Sequence, residues 1–205
     1  MTQFDVIVIG GGHAGVEAAW AASSVLPKGK IAFVTMDAST IGVMSCNPAI
    51  GGLGKGQIVR EIDALGGIMA RAIDATGIMF KMLNTSKGPA VWGPRAQADK
   101  DAYRDEVQRL IATRENIEVI EATVDTLLVE DGAIVGVQLD EPLLAKAVAL
   151  TTGTFMRGLM HTGDTQEKGG RVGEGTADNI SGDLRGLGFE LGRLKTGTPP
   201  RLSKK

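Results

Sequence analysis

The sequence predicts an α/β fold whose parallel sheet opens on a glycine-rich turn, and three observations carry that prediction. Asp-Val-Ile-Val-Ile at residues 5–9 is a continuous apolar, β-branched run, the pattern of a strand buried on both faces. It runs directly into Gly10-Gly11-Gly12-His13-Ala14-Gly15, and the Ala-rich stretch from Val16 to Val25 that follows has helix-compatible spacing. A second apolar run, Ile31 to Thr35, then completes a βαβ unit over residues 1–37.

Further elements follow in order. Residues 42–56 read as an ordered loop that enters a helix over about Gln57 to Leu65, stopped by Gly66-Gly67. A loop around Asn84 to Pro94 precedes a helix from about Ala96 to Thr113 with a solvated charged face, and Ile117 to Thr123 reads as a strand. Thr126–Glu130 and Ala133–Leu139 are joined by Asp131-Gly132, a pair suited to the two positive-φ positions of a tight hairpin turn. This hairpin, within 124–140, is inserted before a last buried strand, Ala147 to Thr151, which ends in Thr152-Gly153-Thr154. Residues 157–186 are glycine-rich and polar, with little periodicity. No repeat and no internal domain boundary stands out across residues 1–205.

Composition narrows the function classes. The 29 glycines are about twice the usual share of roughly 7% and they cluster, so they mark sites. A single cysteine forms no internal disulfide and fits a reducing compartment. No apolar run approaches the roughly 20 residues of a membrane span, and Phe4 to Gly12 is too short for a secretory core segment, so the expectation is a cytoplasmic protein. The net charge of −2 gives no global attraction to nucleic acid, so such contact has to come from a local patch. Two histidines and one cysteine make no metal site.

Gly10-x-Gly12-x-x-Gly15 between a strand and a helix is the dinucleotide fingerprint in its required setting, and the fold expected is Rossmann-like. Gly10 permits the tight turn, Gly12 lets the backbone approach a pyrophosphate at the helix N-terminus, and Gly15 lets helix and strand pack closely. The acidic residue that usually holds a ribose hydroxyl is replaced by Met36, with Asp37 one place late, which leaves ribose recognition open. The inserted hairpin resembles the arrangement of two-dinucleotide flavoproteins of the glutathione-reductase type, which favours FAD over NAD at this turn. His13 either donates to the ligand or fills space beside it. Trp20 and Trp92 are read as packing residues before base-stacking platforms.

The stretch "MSCNPAIGGLGKGQ" at residues 44–57 places the one thiol, Cys46, beside four glycines whose bare backbone can approach a planar ring or an anion. The order G-x-x-x-x-G-K-[ST] is absent and no strand precedes it, so it is not a triphosphate loop. Together with "DVIVIGGGHAGVEAA", "EIDALGG", "NTSKGPAV", "PRAQADK" and "GRLKTGTPPR", this stretch resembles the MnmG (GidA) family of tRNA wobble-uridine modification enzymes. The resemblance implies a cytoplasmic FAD enzyme that uses NADH or NADPH and methylenetetrahydrofolate to build an aminomethyl or carboxymethylaminomethyl group on the 5-carbon of uridine. It also implies a homodimer working on tRNA with the GTPase MnmE. FAD contacts carry over onto Gly10, Gly11, Gly12, His13, Ala14, Gly15 and Val124, with Thr152 and Gly153 at the facing strand end.

The same resemblance places Cys46 near the flavin. A thiolate there that adds to the 6-carbon of uracil would make the 5-carbon nucleophilic; redox, positioning and buried-hydrophobe roles stand beside that one, as does a family cysteine absent from this chain. Lys55, Lys87, Arg95, Arg193 and Lys195 are the candidates for tRNA contact, the last two in a basic run with Arg201, Lys204 and Lys205. Family members are much longer, so the expectation is an N-terminal part whose FAD-binding fold is incomplete at its C-terminal side and which is inactive alone. A generic FAD/NAD(P) disulfide reductase would need a paired cysteine, and an FAD- or tRNA-binding module without turnover is the reading from another class.

Overall fold

A computed structural model describes residues 3–44, 47–171, 173, 175–195 and 197. In chain order the elements are β1 (Gln3–Ile9), α1 (His13–Val25), β2 (Ile31–Thr35), β3 (Ala49–Gly51), α2 (Lys55–Ala64), α3 (Met69–Thr76), β4 (Gly77–Leu83), β5 (Gly93–Ala98) and α4 (Lys100–Ala112). They continue with β6 (Ile117–Glu121), β7 (Thr126–Glu130), β8 (Ala133–Gln138), β9 (Pro142–Leu150), β10 (Leu159–Thr162), β11 (Thr165–Lys168) and α5 (Ile180–Gly186). The main sheet runs β6-β2-β1-β9-β8-β7. β1 pairs in parallel with both β2 and β9, and β2 with β6, while β7 and β8 form an antiparallel hairpin continued by β9.

Side-chain alternation decides which layer each strand residue enters. Val8, Ile31 and Phe33 pack beneath α1 and α4 with Val16, Ala19, Trp20, Tyr103, Val107, Leu110 and Ile111. Ile7, Ile9, Ala32 and Val34 face the other way, onto Val124, Val137, Ala145 and Ile180. Helices on one face and the hairpin with α5 on the other cover the parallel strands, as strands of this apolar kind require. Asp131 (φ 50) and Gly132 (φ 77) take the positive-φ positions expected of the hairpin turn.

Three expectations need correction. Ala96–Ala98 is the end of strand β5 and not the start of a helix; α4 begins after Asp99, whose carboxylate accepts hydrogen bonds from the backbone N–H groups of Asp101 and Ala102. The 42–56 loop contains β3, and with β4 and β5 it builds a second, antiparallel sheet of order β3-β5-β4. The 157–186 segment contains the β10–β11 hairpin and α5.

The two sheets are joined through α1. The Glu17 carboxylate accepts hydrogen bonds from Ile68 N (3.1 Å) and Met69 N (2.7 Å), supplying the cap that the N-terminus of α3 lacks locally. One turn along, Trp20 Nε1 donates to Gly66 O at 2.9 Å, and the Arg114 guanidinium lies 3.8 Å from the Trp20 ring centroid. A Cβ on Gly67 would stand 2.4 Å from Ile62 Cγ2 and 2.6 Å from Glu17 Oε2, so a side chain there would displace the groups that make this joint. Glu17→Ala is expected to cost about 1–3 kcal/mol in urea unfolding, because two backbone donors lose a charged acceptor; an unchanged midpoint would show that the joint carries no stability.

Candidate functional site

The C-terminal ends of β1, β2, β6 and β9 lie side by side, and the chain leaves β1 toward β2 on one side while β9 lies on the other. A ligand crevice is expected at such a switch point, and the glycine turn is at its centre. Gly10 has φ +110, and a Cβ there would stand 2.6 Å from Thr151 O. A Cβ on Gly15 would fall 1.8 Å from Gly10 O, so α1 can follow β1 this closely only without one. Thr151 closes the other side: its Oγ1 donates to Ile9 O at 2.7 Å and its N–H to the same carbonyl at 2.9 Å.

Gly12 differs. Its φ of −74° and ψ of −179° suit any residue, and nothing lies within 4 Å of where its Cβ would be. The fold does not need glycine there, and the space beside the first turn of α1 is open. α1 has no side-chain cap and no acidic residue in its first turn, so its N-terminal N–H groups are available to an anion. Ala14 is exposed on the same turn.

His13 opens α1 with its ring 5.7 Å from that of Tyr103, and its Nε2 is buried without a hydrogen-bond partner among the described residues. Burial first, then the charges of Lys55 and Arg171, pushes the imidazole pKa down to about 4, so the ring is neutral at pH 7. Tyr103 is pushed up by burial and by the Glu17 charge, and it stays a neutral phenol.

The remaining sequence candidates divide. Val124 is buried between the end of β6 and β7, and Thr152 and Gly153 (φ +57) follow β9, so all three lie at the strand-end edge with the glycine turn. Met36 follows β2 as expected, 36% exposed, while Asp37 turns back on its own loop: its carboxylate accepts from Ser39 N and Oγ, which holds its pKa below the ordinary range. Glu121 at the end of β6 accepts from Ala38 N. The carboxylates of Asp37 and Glu121, just after β2 and at the end of β6, therefore both accept hydrogen bonds from the chain.

Lys55 opens α2, and its Nζ donates to Ala49 O at 3.3 Å, linking the second sheet to the surroundings of His13. Arg95 lies on β5 and Lys87 in the exposed loop before it, whereas Arg193 donates to Arg157 O and Lys195 is exposed. Cys46, with Arg201, Lys204 and Lys205, lies outside the described residues. Arg171 is a charge near the turn that sequence reasoning missed, since it sits in the glycine-rich segment where no periodicity marked a position. Trp20 is packed as read, but Trp92 is 43% exposed and belongs to no core cluster. A cavity of about 430 Å³ lies between the second sheet and α2 and α3, lined by Ile50, Val59, Ile73, Phe80 and Met82, and is distinct from the glycine turn.

Sheet order, strand-end crevice and glycine turn together define a Rossmann-like fold of the FAD-binding type. The family model described as "Glucose inhibited division protein A" matches residues 5–205. The chain belongs to that family. It is 53% identical, over 98% of its length, to a Rhodopirellula baltica protein named tRNA uridine 5-carboxymethylaminomethyl modification enzyme MnmG, and 51% identical to a protein of that name from Aquifex aeolicus. A solved structure of Aquifex aeolicus GidA matches 96% of this chain with a TM-score of 0.90 and 51% identity. The GidA-related protein of Thermus thermophilus (TM-score 0.64, 20% identity, 91% of this chain and 69% of that one) shares the fold. The chain spans about a third of the length of the MnmG relatives: 32% of the Rhodopirellula protein and 33% of the Aquifex structure. Among the described residues no helix is long and apolar enough to cross a membrane.

The depressed His13 pKa has a consequence for stability. The folded value lies below the unfolded value, so stability is fully present above about pH 6.5 and is lost as pH falls toward 4. The loss from this group is of order 3 kcal/mol. His13→Gln should flatten the pH dependence of the urea midpoint in that window; an unchanged slope would mean that the ring is solvated.

Proposed function

We propose that this chain contributes the pyrophosphate-binding part of an FAD-dependent enzyme that modifies the wobble uridine of tRNA. What carries the reading is identity of 50–53% across nearly the whole chain to proteins named for that activity, together with the fit of the turn to FAD. Gly12 leaves open space at an uncapped helix N-terminus, and the buried Nε2 of His13 beside it lacks a partner among the described residues.

Gly10–Gly15 would hold the pyrophosphate, Val124 the adenine end through its backbone, and Thr152 and Gly153 the facing strand end. When bound, the flavin supplies the redox and one-carbon chemistry, with NADH or NADPH and methylenetetrahydrofolate as co-substrates. Neutral His13 adds no charge at the phosphates and can offer one N–H or one lone pair. The positive end of α1 supplies the electrostatic attraction. Cys46 is the nucleophile proposed to add to the 6-carbon of uracil: the S–C6 bond forms as the C5–C6 π pair moves to the 5-carbon. That pair would then bond the electrophilic one-carbon unit derived from the co-substrate as this carbon's bond to its carrier breaks, and loss of the C5 proton to a base restores the C5–C6 double bond as the thiolate leaves. Homodimerisation and work with MnmE in the cytoplasm belong to the same proposal.

The test uses Cys46→Ala in a chain of the relatives' full length, with nucleoside mass spectrometry of tRNA. The expected result is loss of uridine modification with FAD retention and NADH oxidation unchanged. Modification at the wild-type level would remove Cys46 from the chemistry.

A further inference from the structure

We infer that the β4–β5 hairpin is the surface that grips the single-stranded loop of the RNA, with phosphates at Lys81 and Arg95 and a base on Trp92; this rests on the tRNA reading proposed above. The juxtaposition is specific. Lys81 of β4 and Arg95 of β5 are directly opposite in the antiparallel register, and Gly51 of β3 is opposite Arg95 on its other side. Like charges placed across a strand pair repel, so a sheet keeps such a pair at a cost unless an anion neutralises it.

Asp74 of α3 lines the same cavity as Lys81 and Arg95, but no ion pair among the described residues joins it to either. No acidic residue occurs between Asp74 and Asp99, a span that contains all of β4, β5 and the loop between them and carries Lys81, Lys87 and Arg95. None of the ion pairs or side-chain hydrogen bonds among the described residues reaches any of these three cations. Every charged side chain of the hairpin is thus cationic, on a chain whose net charge is −2. Arg95 Nη1 lies 3.9 Å, and Leu83 Cδ1 4.0 Å, from the position a Gly52 Cβ would take, so the absence of a side chain on Gly52 leaves room beside the guanidinium.

The tip is ordered for contact. Lys87 N donates to Asn84 O, Asn84 Nδ2 donates to Val91 O, and Trp92 Nε1 donates to Lys87 O at 3.0 Å. These bonds fix the Trp92 ring while leaving 43% of the residue exposed. A hairpin that carries both a fixed, exposed indole and cations without an ion pair among the described residues has the two kinds of group that bind unpaired nucleotides: cations take the backbone and the ring takes a base. The sheet connects through Lys55, whose Nζ donates to Ala49 O, to the surroundings of the glycine turn.

The test is binding of a fluorescein-labelled anticodon stem-loop bearing an unmodified wobble uridine, measured across a salt series. The protein would be compared with the double variant Lys81→Gln/Arg95→Gln, with Trp92→Leu, and with Lys28→Gln as a charge control on the far loop; thermal melts would confirm that each variant is folded. The inference expects the slope of log affinity against log salt to fall by about 0.7 for each hairpin cation removed. It also expects no slope change in Lys28→Gln, and RNA-induced tryptophan quenching that disappears in Trp92→Leu. RNA binding with slope and quenching unchanged in the hairpin variants would overturn the inference while the tRNA reading stands. Absence of RNA binding by the unaltered protein at low salt would overturn both.

Discussion

The architecture depends on one close approach. The first turn of α1 comes so near the end of β1 that a single methyl group on Gly15 would sit 1.8 Å from Gly10 O, and Gly10 itself passes Thr151 O with no room for a Cβ. Hard-core overlap at these distances is not relieved by a small shift, because the opposing atoms are backbone of the central strands. The contact fixes where α1 starts, and therefore where its dipole and its free N–H groups point. It also brings β9 beside β1, which sets the crevice where the parallel strands end.

From that contact the rest follows outward. α1, once seated, presents Glu17 and Trp20 to the turn before α3, and these two side chains fasten the second sheet to the first. The second sheet in turn places Lys55 near His13 and carries Arg95 and Lys81 on neighbouring strands. The helix whose uncapped N-terminus is proposed to face the ligand is thus a structural bracket along its side. The charges near the turn are cationic while the one histidine in it is neutral, so attraction for an anion does not depend on a group that titrates near pH 7.

The elements legible in the sequence are those defined by local physics. The β1–turn–α1–β2 unit announces itself because strand, glycine spacing and helix are contiguous, and the β7–β8 hairpin because Asp131-Gly132 suits its turn. β4 and β5 are not legible: Gly-Ile-Met-Phe-Lys-Met-Leu has one β-branched residue and no alternation, and Gly-Pro-Arg-Ala-Gln-Ala reads as loop then helix. They are strands because each pairs with the other, a non-local reason. In the site, the glycines can be assigned roles from spacing alone. The like-charge pair of Lys81 and Arg95 cannot, since fourteen positions separate them and only the register brings them together. Trp92 escapes a sequence reading for a related reason, because exposure is a property of the folded hairpin.

Gly10 and Gly15 serve the fold, whereas Gly12 is proposed to serve the ligand. The direct measurement is FAD retention after desalting, read by visible absorption and paired with a thermal melt, for Gly12→Ala and Gly15→Ala. Gly12→Ala should melt like the unaltered protein and lose at least about tenfold in FAD affinity, whereas Gly15→Ala should lose the folded state along with the flavin. A Gly12→Ala protein that keeps its full flavin affinity would contradict the claim.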